Sequence, residues 1–170
     1  VKYWGQIQPT QGRFFWYGIH GADMLLAVMG KGIKAVEATT VGDRDVLLVK
    51  RFDREPTSGG FTRARMSSPR TLLGTDDSPS SRQNWSYVAL AEELRRTSAA
   101  PKADAHDLFR RMVFNGLISN IDDHPRNHAL LARRADWRLS PAYALTPAVP
   151  VSDMQRDLAM VCGRQGRFAT

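Results

Sequence analysis

Six side chains able to do polar chemistry crowd one short stretch of this chain. Between Asp122 and His128 stand two carboxylates (Asp122, Asp123), two imidazoles (His124, His128), the Arg126 guanidinium and the Asn127 amide. Asp122 and Asn127 are spaced as D-x-x-x-x-N. Phosphoryl transfer asks little more of a protein: an Asp to orient a hydroxyl and take its proton, and a hard oxygen for Mg²⁺. The two residues serve one cleft if the loop between them turns back on itself. Asp123 need not share that task, because neighbours on an extended loop diverge. His124 could contact a phosphate or ribose, and Arg126 could neutralise charge developing on a transferred phosphoryl group. Metal-dependent hydrolysis competes for the same residues. His124-x-x-x-His128 with Asp122 and Asp123 offers nitrogen and oxygen ligands at a helical spacing. Pro125 speaks against it, since a helix starting there leaves His124 outside, and His20 and His106 supply no further ligand cluster.

The elements that must hold this stretch can be read on both sides of it. Tyr87, Leu90, Ala91 and Leu94 recur at helical spacing behind a cap at Asn84 or Ser86. A second helix is expected over about 102–119, with Leu108, Met112, Val113 and Leu117 on its apolar stripe and Pro101 near its start. Leu130-Leu131 and Trp137-Arg138-Leu139 read as short strands joined by a turn, with Trp137 in the core. Upstream, 20–30 reads as a helix, and 33–41 and 45–52 read as two strands turning at Gly42-Asp43-Arg44. Residues 53–84 are rich in Pro, Ser and Gly with interspersed Arg, and read as a long mobile loop with a short helical piece at 69–74. The expected organisation is therefore 1–52, a linker at 53–84, and a mostly helical part at 85–170.

Composition bounds the partners. The 170 residues carry 24 basic and 17 acidic side chains, a net charge of +7 that favours anionic partners. No apolar run approaches the roughly 18 residues of a membrane span, so no membrane association is expected. The single cysteine, Cys162, forbids an internal disulfide and suits a reducing cytoplasm. Its apolar setting makes it an unreactive thiol.

Taken together, these motifs resemble the HipA-like kinases, the serine/threonine kinase toxins of bacterial toxin–antitoxin pairs. The similarity lies in Phe109–His128, in Trp137-Arg138-Leu139-Ser140-Pro141-Ala142-Tyr143-Ala144-Leu145-Thr146-Pro147 against the family's W-x-L-S-P-A-Y-D-L-x-P, and in Val46-Leu47-Leu48-Val49-Lys50-Arg51-Phe52-Asp53-Arg54 against its R-F-D-R. Ser86–Glu92 and Leu158–Gly163 also fit. The resemblance implies an α+β, protein-kinase-like fold, here a partial N-terminal lobe with a strand hairpin and a mostly helical C-terminal lobe. It implies ATP and Mg²⁺ as cofactors, Asp122 as catalytic base with Arg126 beside it, Asn127 as metal ligand and His124 over the phosphates. Lys50 and Phe52 would offer hinge backbone groups to adenine. The implied partners are a protein substrate, an aminoacyl-tRNA synthetase in the best-known case, and a DNA-binding antitoxin.

Three departures from the family pattern carry consequences. Ala144 stands where the family has the Asp of P-A-Y-D-L, the counterpart of the Asp in the kinase D-F-G, and a methyl group cannot ligate a hard cation. No Gly-rich phosphate cradle precedes residue 33; Gly5, Gly12, Gly18 and Gly21 are scattered, and Lys2 alone is a candidate for the phosphate-pairing Lys. Few residues follow the P-A-Y-A-L motif, which would leave apolar helix faces exposed or covered by another copy. The expectation is a HipA-like kinase impaired or inactive in this form. The alternative is a pseudokinase or binding module that meets an antitoxin, nucleic acid or an acidic protein through its basic surface.

Overall fold

The computed structural model describes residues 2–3, 36–41, 44–49, 51–146, 157–164 and 166–168. The chain divides into two compact units, 1–52 and 53–170. In the first, β2 (Val36–Val41) and β3 (Arg44–Val49) pair antiparallel, and β1 (Lys2–Tyr3) adds to the other edge of β3. Both expected strands are present. The helix expected at 20–30, the turn residues Gly42-Asp43 and Lys50 lie outside the described residues. Phe52 closes this unit, half-buried.

The second unit carries the crowded polar stretch. The segment expected as a loop is structured: β4 (Arg54–Thr57) and β5 (Gly60–Arg63) form a hairpin, β6 (Arg65–Ser67) follows, and α1 (Pro69–Leu72) starts on Pro69. A turn at 75–80 then leads into a 3₁₀ turn at Ser81–Asn84. The hairpin buries no side chain beyond half of Arg54, so no apolar alternation marks it. β6 finds its partner far along the chain in β7 (Leu130–Ala132), which pairs in turn with β8 (Trp137–Leu139).

Helix α2 (Tyr87–Thr97) begins where Ser86 Oγ accepts the Ala89 amide at 3.2 Å. It drives Tyr87, Leu90 and Leu94 into a core shared with Trp85, Leu108, Leu130, Leu139, Leu158 and Met160. Trp137 packs half-buried against that core, with the Arg65 guanidinium 5.2 Å over its ring.

Helix α3 (Pro101–Leu117) lies close to the expected bounds, and of its expected stripe Leu108 is buried and Met112 packs against the core while the rest is turned outward. Its buried positions are Asp104, Leu108, Arg111, Asn115 and Gly116, while Val113 is 40% and Leu117 56% exposed. The inward face is polar because it grips the strand leading to Ala144. The Asp104 carboxylate accepts the Leu139 amide (2.8 Å), Ser98 Oγ (2.6 Å) and the Arg138 guanidinium (2.8 Å). Burial works against that charge, but these donors outweigh it and hold the carboxyl below its ordinary range. Arg111 is buried, which pulls its guanidinium down to about 10, and it donates to the Ser140 carbonyl. Residues 138–140 are thus fixed by side chains of α3, just upstream of the P-A-Y-A-L motif.

Candidate functional site

The stretch after α3 folds as a tight loop. The helix ends with Ser119 in the left-handed region (φ 54°), and the Asn120 amide returns to the Asn115 carbonyl at 2.9 Å. The Asp122 carbonyl then accepts twice, from the His124 amide (2.9 Å) and from Asn127 Nδ2 (2.9 Å). This closes the loop between Asp122 and Asn127, as their spacing requires if both are to act in one place. Pro125–Asn127 make a single 3₁₀ turn. Asn127 uses an N–H of its amide on the loop, and Oδ1 is the atom of that side chain with the chemistry of a hard-cation ligand.

Each polar residue now has a direction. The Asp122 side chain is exposed and lines a cleft of ≈ 760 Å³ together with His124, Arg126, Trp85, Asp77 and Arg167. His124 sits edge-on to Trp85, ring centroids 6.2 Å apart, and its Nε2 is 3.5 Å from Arg126 Nη2. Arg126 forms an ion pair with Asp77, and Asp77 also faces Arg70 at 3.9 Å. Asp123 and His128 point the other way. Each is 1% exposed, and they meet at 3.0 Å in the interior. The hydrolytic metal reading fails on this geometry, since His128 is committed to Asp123. Among the described residues, no three His, Cys, Asp or Glu side chains gather.

The segment carrying Ala144 touches this loop. Tyr143 Oη donates to the Arg126 carbonyl at 2.9 Å, and burial pushes that phenol up to about 12, so it remains a donor through neutral pH. Asn120 Nδ2 lies 3.5 Å from the Ala144 carbonyl. Ala144 itself has φ 56°, a left-handed conformation that costs a non-glycine residue roughly 1–2 kcal/mol and that Asp and Asn tolerate better.

The HipA-like C-terminal domain model matches residues 22–170. The chain belongs to this family. It is 27% identical over 154 residues to the candidate kinase Y4mE of Sinorhizobium fredii (strain NBRC 101917 / NGR234), an alignment covering 85% of this chain and 35% of that protein. It shares its fold with HipA of Shewanella oneidensis MR-1, solved in a toxin–antitoxin complex with HipB and operator DNA. That match has a TM-score of 0.64 at 24% identity and covers 81% of this chain and 35% of HipA. The chain therefore spans about a third of the length of either relative. The α+β, kinase-like fold expected from the motifs is the one it has. No helix among the described residues is long and apolar enough to cross a membrane.

Within this HipA-like unit the structure brings Asp122, His124 and Arg126 onto one cleft, while Asn127 is tied to the Asp122 carbonyl and is not among the residues that line it. Sequence reading missed Asp77, Tyr87, Asn115, Asn120 and Tyr143. Tyr143 lies inside the P-A-Y-A-L motif and could have been singled out there. Asp77 sits in a Ser- and Pro-rich run, and nothing in that run marks it. Burial pushes the Cys162 thiol up, in keeping with the unreactive cysteine expected.

Proposed function

We propose that this chain is the phosphoryl-transfer portion of a HipA-like serine/threonine protein kinase. In this reading its acceptor-activating half is kept and its metal-holding half is reduced. The observation that carries the reading is the closed Asp122–Asn127 loop, with Asp122, His124 and Arg126 lining one cleft. Asp122 would orient the hydroxyl of a protein serine and take its proton. Arg126 and His124 would face the negative charge of the transferred group. The residues fit Mg·ATP in part: Asn127 Oδ1 supplies one hard oxygen, and Ala144 supplies none where a second is needed. When bound, Mg·ATP provides the phosphoryl group and the charge neutralisation for its transfer. The partners we extend to this chain are ATP, a protein substrate such as an aminoacyl-tRNA synthetase, and a DNA-binding antitoxin, in a reducing cytoplasm.

The rival reading, a pseudokinase that binds an acidic partner or nucleic acid through its basic surface, is favoured by the methyl group at 144. Calorimetry separates the two. The parent chain should bind Mg·ATP weakly, and Ala144→Asp should tighten it by about 10–100-fold, the range typical of a repaired metal environment. Failure of both proteins to bind Mg·ATP at millimolar concentration would rule out the kinase.

A second prediction concerns Arg126. Its guanidinium is held by Asp77 in an ion pair whose side chains are both more than two-fifths exposed, and such pairs are weak. Asp77→Asn should free Arg126 and tighten tripolyphosphate binding by about 2–5-fold at low salt, with the gain fading as salt is raised. Unchanged affinity would mean that Arg126 does not compete for the anion.

A further inference from the structure

Beneath the loop lies a run of buried polar side chains that the proposed chemistry does not use. Asp123 Oδ2 accepts from the Tyr87 hydroxyl and lies 3.0 Å from His128 Nε2. The Tyr87 ring stands edge-on to the His128 ring, centroids 5.6 Å apart. Asn115 Nδ2 reaches the Tyr87 oxygen at 3.4 Å, and Asn115 Oδ1 accepts from Asn120 Nδ2 at 3.0 Å. Asn120 Nδ2 then faces the Ala144 carbonyl. All five side chains are 3% exposed or less.

This run is a costly way to fill a core. Asp123 Oδ1 and His128 Nδ1 remain buried without a partner among the described residues, and apolar side chains of similar volume would stabilise such a site at least as well. What the run does distinctively is connect. It starts at His128, after the loop, and passes through Asp123 inside it. It crosses α2 at Tyr87 and α3 at Asn115, reaches Asn120 just before the loop and ends on the backbone of position 144. Both left-handed residues of the region, Ser119 and Ala144, adjoin its far end.

We propose that Asp123, acting through Tyr87, Asn115 and Asn120, is a positioning residue. It clamps the Asp122–Asn127 loop and the backbone at Ala144 into one unit, so that the proton acceptor and the metal-holding segment keep a fixed relation. The proposal rests on the kinase reading for its purpose, and on the hydrogen-bond geometry for its existence.

Two readouts test it. Tyr87→Phe keeps the ring on His128 and removes the hydroxyl that joins Asp123 to Asn115. Asn120→Ser cuts the link to position 144 and serves should the first variant not fold. Leu94→Val, in the same core as Tyr87 but outside the hydrogen-bonded run, is the control, with temperatures chosen so that all are equally far below their unfolding midpoints. Amide hydrogen exchange should speed up by about tenfold or more at both 122–128 and 143–145 in the network variants, and at neither in the control. Mg·ATP affinity of the Ala144→Asp protein should fall about tenfold on adding Tyr87→Phe, the usual scale for losing a group that orients a metal ligand. Equal exchange in Tyr87→Phe and Leu94→Val, or opening confined to one of the two segments, would overturn the clamp. Absence of Mg·ATP binding before any network change would count against the kinase reading, and the exchange result would still decide the clamp.

Discussion

In the Ala144→Asp background, Asp122→Asn is expected to lower phosphoryl transfer to serine by roughly 10²–10⁴-fold, the contribution of a positioned general base. Asn is isosteric with Asp and keeps the backbone carbonyl that accepts from Asn127 and His124. The loop should therefore stay closed, and Mg·ATP affinity should change by no more than about twofold, as for an interaction made only in the transition state. A parallel loss of affinity would instead place Asp122 among the groups that hold the nucleotide. The complementary change, Asp123→Asn, should differ in kind, because that carboxylate faces the interior and supports the loop from below.

Replacing Asp104 by Asn should produce the largest loss of stability, about 2–3 kcal/mol, since hydrogen bonds to a buried charged group are the strong ones. For a chain of this size that lowers Tm by roughly 5–10 °C. Asp104 is buried and binds Arg138, Ser98 and the Leu139 amide at once, so its loss frees both α3 and the strand before Ala144. The pH dependence follows from its lowered pKa. A carboxyl held lower in the folded than in the unfolded state stabilises fully above the unfolded value, near 4. That stability is lost as pH falls through the folded value. The parent and Asp104→Asn should therefore differ most near neutrality and converge in acid. Urea unfolding at pH 7 and near pH 3 checks both the size and the sign, and a constant difference would contradict the assignment.

Parts of this molecule could be read directly from residue order, and the reasons differ by element. Tyr87, Leu90 and Leu94 recur at helical spacing behind Ser86, so α2 and its buried face were legible together. For α3 the length was legible and the buried face only in part: Leu108 is core and Met112 packs against it, as expected. Its other inward side chains are Asp104, Arg111 and Asn115, which periodicity counts as solvent-facing, while the apolar Val113 and Leu117 face outward. The 53–84 segment was misjudged for two physical reasons. The β4–β5 hairpin exposes both faces and so has no period-2 signature, and β6 pairs with β7 more than sixty residues away. In the site, the spacing of Asp122 and Asn127 was enough to foresee that the loop closes between them. The division of labour between Asp122 and Asp123 was not legible, because two adjacent carboxylates look alike until one is seen to point inward. Tyr87 was read as core and is core, and its hydroxyl also joins two parts of the loop's support.

On the proposed function, the loop at 122–127 is an acceptor site whose chemistry is limited by the methyl group at 144. The most direct measurement is transfer of labelled γ-phosphate from Mg·ATP to serine, comparing the parent chain with Ala144→Asp. Transfer should be near background for the parent, rise by about 100-fold or more for Ala144→Asp, as expected for restored metal-ligand charge stabilisation, and fall back on adding Asp122→Asn. Mg·ATP bound equally well with Ala or Asp at 144, and no transfer by either protein, would contradict it.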